Sequence, residues 1–251
     1  MNANSFRADP RRARAFSEPR PQTRRGLNFR SLSLVAWLAI AVVAAGARDA
    51  SAQIDPGGAT IIGLSIVFDE GTDPGVGFVF LDNITVEVNG VAKTWTFAGD
   101  NAGSDLTLHP SGFGEHSYAA WKAQQGQADS RGSANQALYF QKMTATATVA
   151  AGVAVIGGLE GLPASSLTGL SWEHRDDGHC GAGAPRWNLF VEDASGSRHT
   201  IFLGCATAEH SPGGAPGWTR DSYAAGAIDD FIRVGGGQVP PIRGGSGGVP
   251  P

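Results

Sequence analysis

Ser171–Cys205 reads SWEHRDDGHCGAGAPRWNLFVEDASGSRHTIFLGC and holds both cysteines of the 251-residue chain. Two segments in it alternate apolar and polar residues, the mark of a half-buried strand. In RWNLFVED (186–193), Trp187, Leu189 and Val191 share a face. In RHTIFLGC (198–205), Ile201, Leu203 and Cys205 do so. Bringing these faces to one side pairs Leu189 with Leu203 and Phe190 with Phe202. The loop is then Ser195-Gly196-Ser197, a three-residue hairpin with glycine near the left-handed position. Cys205 faces Trp187 in that register. The preceding strand, LTGLSWEHR (167–175), puts Leu170, Trp172 and His174 on one face. These patterns call for an all-β protein with Trp95, Trp172 and Trp187 in its core.

The N-terminal region reads differently. Residues 1–30 are rich in Arg, residues 32–46 are LSLVAWLAIAVVAAG, and Ala50-Ser51-Ala52 follows. A basic segment, a short apolar segment and an A-x-A site make a secretory signal peptide over residues 1–52. A membrane span needs about 20 apolar residues, so an uncleaved anchor is the lesser alternative. Thr23-Arg24-Arg25-Gly26-Leu27 resembles a twin-arginine export signal, which leaves that route and the general secretory route both open. The expected location is secreted or periplasmic. Residues 1–52 hold nine of the 19 basic residues and three of the 23 acidic ones. The remainder therefore carries a net charge of −10. Such a surface repels phosphate backbones and anionic lipid, so neither nucleic acid nor membrane is an expected partner after cleavage.

Residues 53–235 are expected to form one β-sandwich domain and residues 236–251 a flexible Gly/Pro tail. TIIGLSIVF (60–68) alternates with Ile62, Leu64, Ile66 and Phe68 inward. FVFLDNITVEV (78–88) and VAKTWTF (91–97) flank Asn89-Gly90, the strongest two-residue hairpin signal, which sets Ile84 opposite Trp95. The three segments read as a meander. Tyr118–Lys122 suggests a short helix, ALYFQK (137–142) a strand, Thr144–Ile156 another, and Leu162–Leu167 a helical turn. ATAEHSPGGAPGWTRDS (206–222) reads as a long loop and AIDDFIRV (227–234) as a last strand.

Two motifs carry a resemblance. LSIVFDEGTDPGVGFVFLDNITV (64–86) is similar to the hairpin that closes many jelly-roll carbohydrate-binding modules. CGAGAPRWN (180–188), followed by a strand and a second Cys, resembles uncharacterised secreted bacterial β-sandwich proteins that join a Cys-Gly-x-Gly-x-Pro-Arg-aromatic segment to an FDEGTD/LDNI hairpin. The resemblance implies an antiparallel β-sandwich of jelly-roll type and no named activity. It expects the LDNI hairpin last, and here it comes first. A permuted sandwich explains that order, and so does a second jelly roll ending at IDDFIRV.

Candidate sites follow. Cys180 and Cys205 in an exported chain point to one disulfide, against two free buried thiols. His174, Asp176, Asp177 and His179 could ligate a transition metal, against an ordinary polar bend. Asp69, Asp73 and Asp82, with Glu70, surround one turn and could hold a structural calcium ion, against an acidic hairpin loop. Trp121 and Trp218 lie among Gly, Ser and Pro and are candidate sugar-stacking platforms, against tryptophans that close a core. Phe190 and Phe202 offer a second such surface. Gly244-Gly245-Ser246-Gly247-Gly248 fits a hydrolase pattern only inside the low-complexity tail, and Asn83-Ile84-Thr85 is a sequon in mid-strand. No catalytic residue is expected. The leading expectation is an exported non-catalytic binding module for carbohydrate. The alternatives are a structural or adhesive surface protein and, third, an extracellular hydrolase.

Overall fold

The computed structural model describes residues 53–69, 77–114, 116–128, 134–143, 150–181 and 183–235. The expected signal peptide and tail, and the Thr144–Val149 part of one expected strand, lie outside them. Among the described residues twelve strands and one α-helix follow in chain order: β1 (Thr60–Phe68), β2 (Gly77–Val88), β3 (Val91–Trp95), β4 (Thr107–Phe113), β5 (Ser117–Lys122), β6 (Ala137–Lys142), β7 (Ala151–Gly157), β8 (Leu167–Arg175), β9 (Arg186–Glu192), β10 (Arg198–Gly204), β11 (Glu209–Pro212), β12 (Trp218–Ala224) and α1 (Ala225–Arg233). They form two antiparallel sheets stacked as a sandwich. One runs β10-β9-β1-β7-β4, and the other runs β11-β12-β8-β2-β6-β5 with β3 also on β2. Neither sheet closes into a barrel.

The core joins the inward faces of both sheets. Trp172 of β8 stacks on Trp187 of β9 with ring centroids 4.9 Å apart, so the two indoles bridge the layers. Trp95 is equally buried, and its indole N–H donates to Asn101 Oδ1. The same Asn101 side chain bonds both backbone groups of Leu108 and so extends sheet-like pairing across a gap. Strand β3 stops at Trp95 because Asp100 Oδ2 accepts the N–H groups of Thr96 and Phe97.

Two bulges set which residues face inward. In β1, Ile61 rather than Ile62 is in the core, because the pairing with β9 slips between Ile61 and Gly63. Gly63 lies under the Phe190 ring, 3.4 Å from where a Cβ would stand. In β2, Val79 and Leu81 face in, then Ile84 and Val86. The change of phase falls at Asn83, whose φ is +48°, a conformation that Asn tolerates better than most residues. The LDNI motif is thus a bulge. Before it β2 pairs with β6; after it the same edge pairs with β3. Ile84 does face Trp95.

Several expectations are corrected. The meander is not formed: β1 joins one sheet, whereas β2 and β3 belong to the other. Alternation assigns faces but not partners. Tyr118–Lys122 is the strand β5, and residues 206–222 contain β11 and the start of β12. The β9–β10 register is shifted by two, with Leu189 opposite Ile201, Phe190 opposite Thr200 and Trp187 opposite Leu203. Faces survive such a shift because the side-chain period is two. The segment 227–234 lies mainly in α1 instead of a strand. As a strand, its inward set would include Asp230 between Ile228 and Ile232. As a helix it buries Ile228 and Ile232 together and sets Phe231 edge-on to Tyr223. Asp229 and Asp230 then face outward and pair with Arg233.

Asp193 explains the β9–β10 register. Its Oδ1 accepts the backbone N–H groups of Ser195 and Ser197 and the Ser195 hydroxyl, and its Oδ2 meets His199 Nε2 at 2.8 Å. Asp193 and Ser197 close the loop, and Gly196 takes φ +82°. The Ser195 hydroxyl, followed by His199 and the Ser197 amide, holds the Asp193 carboxyl well below the usual carboxylate range. A depressed folded-state pKa stabilises the hairpin above the ordinary value of about 4, and this is lost as pH falls through the lower folded-state value. An NMR titration of Asp193 should show that low pKa, and Ser195→Ala should raise it. An Asp193 pKa near 4 in the unsubstituted chain would contradict this account.

The sheets approach closely at one corner. Gly112 of β4 and Gly152 of β7 are register partners. A Cβ on Gly112 would lie 2.5 Å from Tyr118 Cα, and one on Gly152 would lie 2.6 Å from Tyr118 O. The missing side chains let the backbone of β5 rest on the opposite sheet and so fix Tyr118.

Candidate functional site

Two polar clusters and one groove hold the chemistry. The first cluster lies between the sheets beside the disulfide. Cys180 and Cys205 are bonded, with Cα atoms 5.4 Å apart. Cys205 N donates to Pro185 O and Ala206 N to Gly181 O, so Gly181 and Pro185 lie against the end of β10. Asp221 of β12 is 1 % exposed. Its Oδ2 accepts the Trp172 indole N–H at 2.6 Å and meets His174 Nδ1 at 2.6 Å, and its Oδ1 meets His210 Nδ1 at 2.7 Å. Asp221 thus joins both histidines through their Nδ1 atoms.

Donor atoms of His174, Cys180, Cys205 and Asp221 all lie within 4.8 Å of one another. Cysteine binds metal as thiolate, and these sulfurs are bonded to each other. The cluster in this form is a structural network. The bend after β8 does not assemble the expected four-residue metal set. His174 is buried, while Asp176, Asp177 and His179 are exposed, and Asp176 and Asp177 bond Thr219 and Arg175 respectively.

Of the acidic residues expected around the turn, Asp69 and Asp82 are described, and each has partners within the protein. Both carboxylate oxygens of Asp69 bond the Arg186 guanidinium, at 2.6 and 2.7 Å. Asp82 is buried on the outward face of β2 and accepts the N–H groups of Asn83 and Gln127, each at 2.7 Å. Asp73 lies outside the described residues. Asp82 faces Glu173 across β2 and β8, and Glu173 Oε2 accepts Gln127 Nε2 and Gly214 N–H. These paired acids therefore anchor two loops. Gly126 permits the closure: a Cβ there would stand 2.1 Å from Gln136 O.

Beside the first of those loops, on the outward face of the sheet that contains β2, runs an open groove of about 370 Å³. Phe80, Tyr118 and Tyr139 line it, with Lys122, Gln125 and Gln141 among them. Strand register brings them together. Phe80 is the partner of Tyr139, and Gln141 is the partner of both Phe78 and Tyr118. Tyr139 lies 4.7 Å from Phe80 and 5.9 Å from Tyr118, centroid to centroid. The Lys122 ammonium sits 5.3 Å over the Tyr118 ring, and the Arg175 guanidinium lies 3.9 Å over the Phe80 ring. Burial, with Tyr118 adding to it, pushes the Tyr139 hydroxyl above its ordinary pKa, so it stays protonated at neutral pH. It hydrogen-bonds Gln141 Oε1 at 3.0 Å.

The two expected platform tryptophans part company. Trp121 is half-buried against the main core. Trp218 lies on the outward face beside the groove, packed with Phe80 and Ala137, with Tyr139 against this small cluster. The groove residues themselves escaped the sequence reading. One signal was present: Phe78, Phe80 and Tyr139 occupy the polar phase of their strands. No helix among the described residues is long and apolar enough to cross a membrane. No family model, no curated protein and no solved structure matches this chain.

Proposed function

We propose that this chain is an exported, non-catalytic carbohydrate-binding module of jelly-roll type, with its ligand in the groove of Phe80, Tyr118 and Tyr139. The single observation that carries the reading is that groove: aromatic side chains from three strands, flanked by side-chain amides, open at the surface. A pyranose presents an apolar C–H face that packs on an aromatic ring, and its hydroxyls need hydrogen-bond partners at the rim. Open, shallow geometry suits a polymer that passes through. Acids near the groove favour binding over hydrolysis, since Asp82 and Glu173 are engaged by Gln127 and Gly214.

Affinity electrophoresis against a polysaccharide panel tests this. Tyr139→Ala should weaken binding at least tenfold, about 1.4 kcal/mol or more, as for a central aromatic anchor. Unchanged retention of the variant on every polymer that retains the parent would remove the groove from consideration.

A second reading, as a structural or adhesive protein, is favoured by one observation. Phe202 and Val155, each 45 % exposed, lie on the outward face of the other sheet. One row across that sheet runs Phe202, Asn188, Ser65, Val155, His109, without an acid or a Lys/Arg. Concentration-dependent self-association without ligand, lost in Phe202→Ser, is the result this reading requires.

A further inference from the structure

The polar groups of the groove are unequal in kind. Gln125 Oε1 accepts Arg175 Nη1 at 3.0 Å, so the Gln125 amide presents its NH₂ elsewhere. Gln141 Oε1 accepts the Tyr139 hydroxyl. Each amide oxygen thus accepts one bond within the protein, while Gln141 Nε2 donates one of its two hydrogens to His116 O and keeps the other. Among the described residues no carboxylate lines the groove and Lys122 is its only charged lining residue, held over Tyr118 and, at 5.9 Å, over Tyr139. Among the described residues no carboxylate pairs with Lys122. An ammonium offers donors only. Neutral sugars carry hydroxyls that donate as well as accept, and they are matched by mixed partners, carboxylates included. A rim dominated by donors and a cation matches a group that only accepts.

We propose that the groove selects acidic polysaccharide, with Lys122 receiving an anionic substituent while Tyr118 and Tyr139 pack on the sugar ring. This rests on the carbohydrate-binding reading and names its ligand class. The anion is a uronate carboxylate or a sulfate ester, since both present acceptor oxygens and negative charge. The chain outside residues 1–52 is acidic overall, so general electrostatic attraction cannot draw a polyanion to it. Selection must come from the local contact, which is charge-assisted and therefore strong for its size.

The test is titration of the full chain with polygalacturonate, its fully methyl-esterified form, a sulfated galactan and polyglutamate. Polygalacturonate should bind at least tenfold tighter than its ester, and the difference should shrink as salt rises. Lys122→Met should bring polygalacturonate down to the level of the ester, with an unchanged thermal midpoint showing that the variant folds. Arg198→Gln, which removes an exposed charge from β10 in the other sheet, should change nothing. Sulfated galactan bound with the same Lys122 dependence supports the proposal through the other anion source. Equal affinity for polygalacturonate and ester overturns the selection for acid but leaves carbohydrate binding standing. Polyglutamate bound as tightly as polygalacturonate, and unaffected by Tyr139→Ala, overturns it as charge attraction alone. Absence of binding to every polymer, neutral ones included, overturns both.

Discussion

Replacing Asp221 with alanine should lower the stability of the fold by roughly 3 kcal/mol or more, the largest effect expected of any single side chain outside the apolar core. The carboxylate is almost fully buried and is the partner of Trp172, His174 and His210 at once. Removing it leaves the Trp172 indole N–H and the His174 ring without a partner between the sheets. Each such buried group costs about 1–3 kcal/mol. Trp172 also stacks on Trp187, so the loss propagates to the contact that joins the layers. The half-exposed His210 contributes less, and His210→Ala should cost under about 1 kcal/mol. Denaturant unfolding followed by tryptophan fluorescence distinguishes these cases. Asp221→Ala within 1 kcal/mol of the parent would show that the network is incidental.

Opening the disulfide is the second large effect. Cys180 and Cys205 are 25 residues apart in sequence, and closing a loop of that length is worth roughly 3 kcal/mol in the chain-entropy model. The loop encloses all of β9 and β10, with Trp187, Leu189, Val191, Ile201 and Leu203 all buried. The folded chain should survive reduction but unfold at lower denaturant concentration. The Cys180→Ser/Cys205→Ser double variant should match the reduced protein. Unfolding midpoints that coincide with and without reductant would mean that the unfolded chain is already constrained, or that the bond does not form in solution.

Much of the fold was legible locally. Alternation in Ser171–Cys205 gave the inward set of β9 and β10, Asn89-Gly90 gave the β2–β3 hairpin with its register, and two cysteines allowed one pairing. Alternation failed where it was interrupted, at Ile61–Gly63 and Asn83. A bulge adds one residue and reverses the faces without a clear mark in composition. It failed again at 227–234, where Ile228 and Ile232 fit period two and period 3.6 alike, and Phe231 with the intervening aspartates decides for the helix.

The groove was not legible at all from local pattern. Phe80, Tyr118 and Tyr139 are remote in sequence, and each alone is an aromatic residue on the polar side of a strand. What the sequence by itself determined is the strands β1, β2, β3, β6, β8, β9 and β10 with most of their inward faces, the three core tryptophans and the pairing of Cys180 with Cys205. These follow from near-neighbour periodicity, or from having two thiols and no more. What only the tertiary structure decided is which strand lies beside which. That choice sent β1 and β2 to different sheets, set β6 between β2 and β5, and so gathered Phe80, Tyr139, Tyr118 and Lys122 on one surface. Strand partners are fixed by long-range burial of whole faces against each other, and no local window contains that information.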